Sequence, residues 1–152
     1  MPGLCVACPE STTNGLPLAG FSISVRVYYE DTDAGGLVYY ANYLRFMERA
    51  RTEWLRALGY EQDAWIREEG QLFAVRSASV NFIRPARFND LLEVNATVSE
   101  LKRASVTFEQ QVLLSDQTIA ADGVVRVACL DAASLRPRPI PENLRKDLSR
   151  AG

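Results

Sequence analysis

The feature that most limits what this chain can fold into is a change of hydrophobic period, from two to helical and back to two. Phe21, Ile23, Val25, Val27 and Tyr29 alternate with Ser22, Ser24, Arg26 and Tyr28, the pattern of a half-buried strand. From about Tyr39 the period changes. Leu44, Met47, Trp54, Leu55 and Leu58 recur at helical spacing, and Gly59 is placed to cap the C-terminus. Asn42 is the only good capping residue near the start of this helix, and it lies late. A shorter helix over about residues 62–69 follows, before Gly70. The period then returns to two: residues 73–83, 91–101, 105–114 and 118–130 read as four strands. The turns Lys102-Arg103-Ala104 and Ser115-Asp116-Gln117 are short enough to make their flanking strands antiparallel neighbours. Residues 118–130 are apolar on both faces in places, which suggests a central strand.

One strand, one long helix and four strands predict an α+β architecture, a five-stranded antiparallel sheet wrapped around the helix so that the helix stripe and the inner face bury each other. A chain of 152 residues suits one domain, since at that length roughly 68–70% of the unfolded surface is buried. Residues 1–20 read as a loose tail, 21–141 as the domain, and 142–152 as a short terminal helix and tail. Leu113 and Val124 fall on the outer face, where a second copy of the chain is the expected cover.

The chain contains no histidine. That excludes Ser-His-Asp and Cys-His nucleophile systems, His-ligated metals and imidazole bases. A net charge of -2 gives no reason to expect nucleic acid. No apolar run approaches the ~20 residues of a membrane span. Residues 1–20 carry no basic residue and no continuous apolar core, so no signal peptide is expected and the location follows as cytoplasmic. Cys5 and Cys8 form a single C-x-x-C with no second pair, which reads as part of the tail, and no metal or cofactor is expected. Cys129, in an apolar run, reads as a buried small hydrophobe.

Chemistry concentrates where Glu30, Asp31 and Asp33 crowd ahead of Gly35-Gly36 and the helix start. A calcium loop fits poorly, because its fifth position would be Gly35 and its twelfth Asn42 in place of glutamate. Acidic residues before a helix also interact with its dipole, for about 0.3–1 kcal/mol. In a catalytic reading, unpaired N–H groups at the helix N-terminus stabilise an oxyanion while an aspartate acts as nucleophile or as general base on water. Thioesters suit such a site, since a thiolate leaves without strong acid assistance. On composition and spacing alone, the dipole and catalytic readings both stand.

The longer motif decides between them. YYEDTDAGGLVYYANYL at residues 28–44, FMERARTE at 46–53 and NFIRPARFNDLLEV at 81–94 closely resemble the 4-hydroxybenzoyl-CoA thioesterase family, most of all its branch of acyl-CoA thioesterases associated with the Tol-Pal system. The resemblance implies a hot-dog fold, assembled as homodimers that pair into homotetramers, and hydrolysis of an acyl-CoA or possibly an acyl-carrier-protein thioester. It implies that Asp33 is the catalytic carboxylate and that the Tyr40 backbone N–H binds the thioester carbonyl. In the Tol-Pal branch that position is commonly histidine; here it is tyrosine, as in the 4-hydroxybenzoyl-CoA enzymes, which leaves the acyl preference open. Lys102 and Arg103 are the preferred contacts for CoA phosphates, with Arg84 and Arg87 as further candidates, and a charged turn of this kind is equally expected on an ordinary surface. Asp31 reads as organising the loop, Glu48 as pairing with Arg51 or Arg49, and Tyr43, Phe46 and Trp54 as core. The alternative function is a non-catalytic module that binds acyl-CoA or acyl-carrier protein for an envelope complex.

Overall fold

Strict alternation along the middle strands sets the architecture. In the computed structural model, which describes residues 20–151, the elements are β1 (Phe21–Arg26), a 3-10 turn (Tyr29–Asp31), α1 (Ala41–Ala57), α2 (Gln62–Glu69), β2 (Gln71–Phe82), β3 (Leu91–Leu101), β4 (Ser105–Leu113), β5 (Ile119–Asp131) and α3 (Glu142–Ala151). The strands form one antiparallel sheet in the order β1-β3-β4-β5-β2. This is the five-stranded sheet that the periodicity predicted. β4 occupies its centre, and β5, expected to be central, is an interior strand beside it.

The inner residues of β4, namely Val106, Phe108, Gln110 and Val112, are all buried. With Leu92, Val94 and Ala96 of β3 and Val125 and Val127 of β5, they face the buried side of α1. That side carries Tyr43, Phe46, Met47, Ala50, Trp54 and Leu55, and each large apolar side chain fully withdrawn from water contributes about 1.5–3 kcal/mol. The apolar core divides into two clusters, one around Phe46 and Met47 and the other around Trp54, Phe108 and the terminal helix. Gly123 on β5 lets the helix approach closely: a Cβ there would lie 3.1 Å from the Ser79 carbonyl oxygen and 3.2 Å from the Met47 sulfur.

Three details differ from the periodic reading. Leu44 is 41% exposed, because the buried stripe is turned toward Tyr43 and Ala50 and accommodates polar Asn42 and Arg51. β1 stops at Arg26, and Tyr28 and Tyr29 are exposed, since the 3-10 turn redirects the chain. Leu113 is buried and not on an open outer face; the β4–β5 register skips Ala120 there, pairing Val112 with Ala121 and Leu113 with Ile119, and such a bulge twists the strand out of plain alternation. Val124 does lie on an exposed face.

The end of α1 follows its capping signal: the Tyr60 N–H bonds the Leu55 carbonyl at 2.8 Å and the Gly59 N–H bonds that of Arg56 at 3.0 Å, the paired pattern of a Schellman cap. In α3, Leu144 and Leu148 are fully buried and join the second cluster with Ile140. Cys129 is buried as the sequence suggested, and burial pushes its thiol up to about 11. Cys5 and Cys8 lie outside the described residues. No helix of the described residues is long and apolar enough to cross a membrane.

Candidate active site

The acidic crowding between β1 and α1 resolves into two different roles. Asp31 is buried, and its carboxylate Oδ2 accepts the Tyr28 N–H at 2.8 Å. Its carbonyl oxygen accepts both the Tyr39 N–H at 2.9 Å and the Asn42 side-chain amide at 2.8 Å. Asp31 therefore organises the loop and, through Asn42, ties it to the first turn of α1. Asp33 is exposed and folds a tight turn around itself: its Oδ1 accepts the N–H groups of Gly35 at 2.9 Å and Leu37 at 3.2 Å. The backbone closes the same turn, with the Asp33 N–H on the Leu37 carbonyl at 2.8 Å and the Gly36 N–H on the Asp33 carbonyl at 3.0 Å. Gly36 sits at φ +81°, where a side chain would be strained. Oδ1 is thus fixed by the turn, while Oδ2 has no hydrogen-bond partner among the described residues.

The chain then enters α1 through Tyr40, which holds the N-cap position with φ −57° and ψ −32°. No acceptor among the described residues takes the Tyr40 N–H. It is an unspent donor at the positive end of a 17-residue helix. The segment after β2 buttresses this end. The Val38 N–H bonds the Ala86 carbonyl at 2.8 Å, the Ala86 N–H bonds the Tyr43 hydroxyl at 3.1 Å, and Leu37 forms a bridge with Arg87. Burial raises the Tyr43 phenol above its ordinary pKa, so it stays a neutral anchor. The exposed Tyr40 ring packs on Tyr39 at 4.9 Å and edge-on to Phe82 at 6.0 Å between centroids.

An N–H left free at a helix N-terminus beside a hydrogen-bonded aspartate turn can polarise a carbonyl. The profile of the Thioesterase-like superfamily matches residues 27–148, which contain both the turn and the helix end. The chain belongs to this superfamily. It is 44% identical over 126 residues to the acyl-CoA thioesterase YbgC of Haemophilus influenzae, covering 83% of this chain and 92% of that protein. It is 40% identical to the acyl-CoA thioester hydrolase YbgC of Escherichia coli O6:H1, covering 82% and 92%. Among solved structures, a probable thioesterase from Bartonella henselae matches with a TM-score of 0.75 at 35% identity, over 80% of this chain and 99% of that one. The sheet wrapped around α1 is accordingly the hot-dog fold.

Within this thioesterase-like fold, the residues singled out from sequence do not all meet. Asp33, Tyr40 and Arg84 share one end of the sheet; the N–H groups of Ile83 and Arg84 both bond the Ala120 carbonyl, fixing Arg84 just beyond Phe82. Lys102 and Arg103 lie at the other end. β3 begins at Leu91, near the Asp33 loop, and ends at Leu101, so at about 3.3 Å per residue the turn is ~33 Å away on the same chain. There the Lys102 ammonium lies 3.7 Å from Glu100, and the Arg103 carbonyl accepts the Ile140 N–H at 2.9 Å.

Glu48 pairs with neither arginine, contrary to the sequence expectation. Its Oε2 accepts the Thr52 hydroxyl at 2.6 Å, Arg49 stacks over the Phe46 ring at 5.6 Å, and Arg51 bonds Gln110 at 2.8 Å. The periodic reading also missed Asn42 as the tie between loop and helix. A polar amide one turn ahead of Phe46, on the buried stripe, was the available signal. Among the described residues no cluster of three potential metal ligands occurs.

Proposed function

We propose that the chain is an acyl-CoA thioester hydrolase in which Asp33 supplies the carboxylate and the Tyr40 N–H polarises the thioester carbonyl. The observation that carries this reading is the unspent Tyr40 N–H at the start of α1, reached through a turn that the Asp33 carboxylate itself builds. As the carbonyl oxygen gains charge, a preorganised donor at a helix N-terminus stabilises it; one such donor contributes about 10²–10³ in rate. Asp33 acts on the carbonyl carbon by one of two routes. In the first, its oxygen bonds to the carbon, CoA thiolate departs, and water hydrolyses the resulting anhydride. In the second, the carboxylate takes a proton from the water that attacks. Both need the same ionised carboxylate. Relatives named acyl-CoA thioesterase support the substrate class; acyl-carrier protein is the alternative carrier of the same thioester. Arg84, at this end of the sheet, is the cation we assign to substrate phosphates.

The site is completed by a second copy of the chain, as a homodimer or homotetramer, in the cytoplasm. β2 is a 12-residue edge strand with Val75 54% exposed, and the aromatic surface of Tyr29, Tyr40, Phe82 and Phe88 is open beside it. Such an edge and such a patch are normally covered. In a dimer, Lys102 and Arg103 of one copy become available to substrate held by the other.

The test is release of free thiol from short, long and aromatic acyl-CoAs, with an acyl-carrier-protein thioester alongside. Asp33→Asn is expected to lower the rate by ~10³ or more, about 4 kcal/mol in barrier, with the unfolding midpoint unchanged. Turnover in that variant matching wild type would remove Asp33 from the chemistry. No thiol release from any substrate, with acyl-CoA still bound, would leave the chain a binding module. A monomer of full activity would remove the second copy from the site.

A further inference from the structure

Ala86 lies in the segment between β2 and β3 and is fully buried. A buried backbone N–H must find an acceptor. Here the acceptor is a side chain: the Ala86 N–H donates to the Tyr43 hydroxyl at 3.1 Å. Tyr43 stands in the first turn of α1 and is 4% exposed. Its ring is edge-on to Phe46 at 6.2 Å and tilted against Phe82 at 5.6 Å between centroids, so the hydroxyl has a fixed place. Among the described residues it makes the only hydrogen bond between α1 and residues 83–90.

Asp33 and the Tyr40 N–H hang from the two elements that this bond joins. The far limb of the Asp33 turn rests on residues 83–90, where the Ala86 carbonyl accepts the Val38 N–H at 2.8 Å and Arg87 bridges to Leu37. That segment is in turn clamped to the end of β1. The Val27 N–H bonds the Asp90 carbonyl and the Asn89 N–H bonds the Val27 carbonyl, both at 2.9 Å. The donor belongs to α1. The Tyr39 carbonyl accepts the Asn42 N–H at 2.8 Å, and the Tyr40 carbonyl accepts the Tyr43 N–H at 3.3 Å. A trans peptide is planar, so holding the Tyr39 carbonyl also aims the Tyr40 N–H. These bonds orient the donor within the helix and leave its distance from the turn open. The bonds of Tyr39 and Asn42 to the Asp31 carbonyl reach only the side of the turn ahead of Asp33. The other side is left to the Tyr43 hydroxyl.

We propose that Tyr43 is a positioning residue for hydrolysis, its hydroxyl fixing the separation between the Asp33 carboxylate and the Tyr40 N–H by locking residues 83–90 to the first turn of α1. The inference rests on the reading of Asp33 and Tyr40 as the reacting pair, and Tyr43 acts on that pair through Ala86. A carboxylate and an oxyanion donor must reach one carbonyl group from two directions, and a misplacement of ~1 Å costs about 10²-fold in rate. Substrate binding through Arg84 does not depend on this bond, so the loss falls on turnover and not on affinity. Phenylalanine at position 43 keeps the ring packing and removes only the acceptor.

The test combines thiol release from hexanoyl-CoA and benzoyl-CoA with amide exchange followed by NMR on the full chain. Tyr43→Phe is expected to lower kcat by about tenfold or more, with KM within about twofold. Exchange at Ala86 and Val38 should speed up by about tenfold or more, while Val125 and Val127 of the second core cluster keep the wild-type rate. In the Asp33→Asn background the same substitution should cost less than about threefold, because a carboxylate that is gone can no longer be misaligned. Val112→Ala, in the same core cluster as Tyr43, should lower the unfolding midpoint and leave kcat within about twofold. A kcat within twofold of wild type in Tyr43→Phe, an equal loss in both backgrounds, or the same kcat loss in Val112→Ala would overturn the proposal. An unprotected Ala86 amide in wild type would also overturn it, and this measurement needs no variant to fold. Failure of the hydrolase reading is separate: wild type then releases no thiol, or Asp33→Asn matches it. In that case the role in hydrolysis falls as well, and the exchange rates alone show whether Tyr43 holds the segment.

Discussion

The two halves of α1 and its approach are built on opposite principles. Ahead of the helix, residues 31–40 are held by hydrogen bonds: the Asp31 and Asp33 carboxylates on N–H groups, Asn42 on the Asp31 carbonyl, and Val38 on Ala86. Much of that surface is open to solvent. From Tyr43 onward the helix is held by shape, with Phe46, Met47 and Ala50 fully enclosed and Met47 seated over Gly123. Close packing tolerates no change of volume, whereas a hydrogen-bonded turn tolerates exchange of any side chain that is not one of its donors or acceptors. Activity and stability should therefore respond to different substitutions.

The largest separation is expected from Phe46→Ala, which opens the first core cluster and should cost about 3–5 kcal/mol in chemical denaturation. The rate per folded molecule should stay within a fewfold of wild type; a rate loss that parallels the stability loss would break the division. Gly123→Val tests the close approach. The added carbons meet the Ser79 carbonyl and Met47, and overpacking of this kind costs about 1–3 kcal/mol, again with turnover per folded molecule preserved. Asn42→Ala crosses the boundary. Removing the amide leaves the Asp31 carbonyl with one bond in place of two, which should cost about 1 kcal/mol in stability. Because the loop loses its tie to α1, the rate should fall by more than that small change implies. Equal effects would place Asn42 with the core.

The smallest effect belongs to Cys129. Its thiol is raised from 9.0 to about 11, chiefly by burial. The native state keeps the proton that the unfolded chain releases from about pH 9. The contribution is therefore complete below pH 9 and is lost as pH rises toward 11. The urea midpoint of wild type should decline more steeply over that interval than that of Cys129→Val. Parallel curves would show that the thiol is not enclosed as described.

Elements with a clean repeat were readable from sequence, and elements shaped by tertiary contacts were not. β3 occupies the span that its alternation marked, and α2 ends where Gly70 stands. The buried face of α1 was turned from the predicted one because apolar content alone ranks Leu44 above Asn42, whereas the fold buries Asn42 for its hydrogen bond. Tyr28 and Tyr29 continue the alternation of β1 in sequence but leave it in space, because Asp31 caps a turn there. The position of Asp33 ahead of the helix was legible; its bonds to Gly35 and Leu37 were not, since a turn's closure is not encoded in composition. The distance from Lys102 to Asp33 depends on the whole length of β3, and no local pattern reports it.

The strand order also bears on how the protein is made. β1 and β2, the two edge strands, come first along the chain, yet β1 pairs only with β3 and β2 only with β5. During synthesis from the N-terminus, neither has a partner until the later strands emerge. The Asp33 turn hangs from β1 and is braced by the segment after β2. A nascent chain therefore carries the Asp33 turn long before it has the frame that braces it. The frame around that turn closes only when the last strand has emerged, so the segment stays unsupported through most of synthesis.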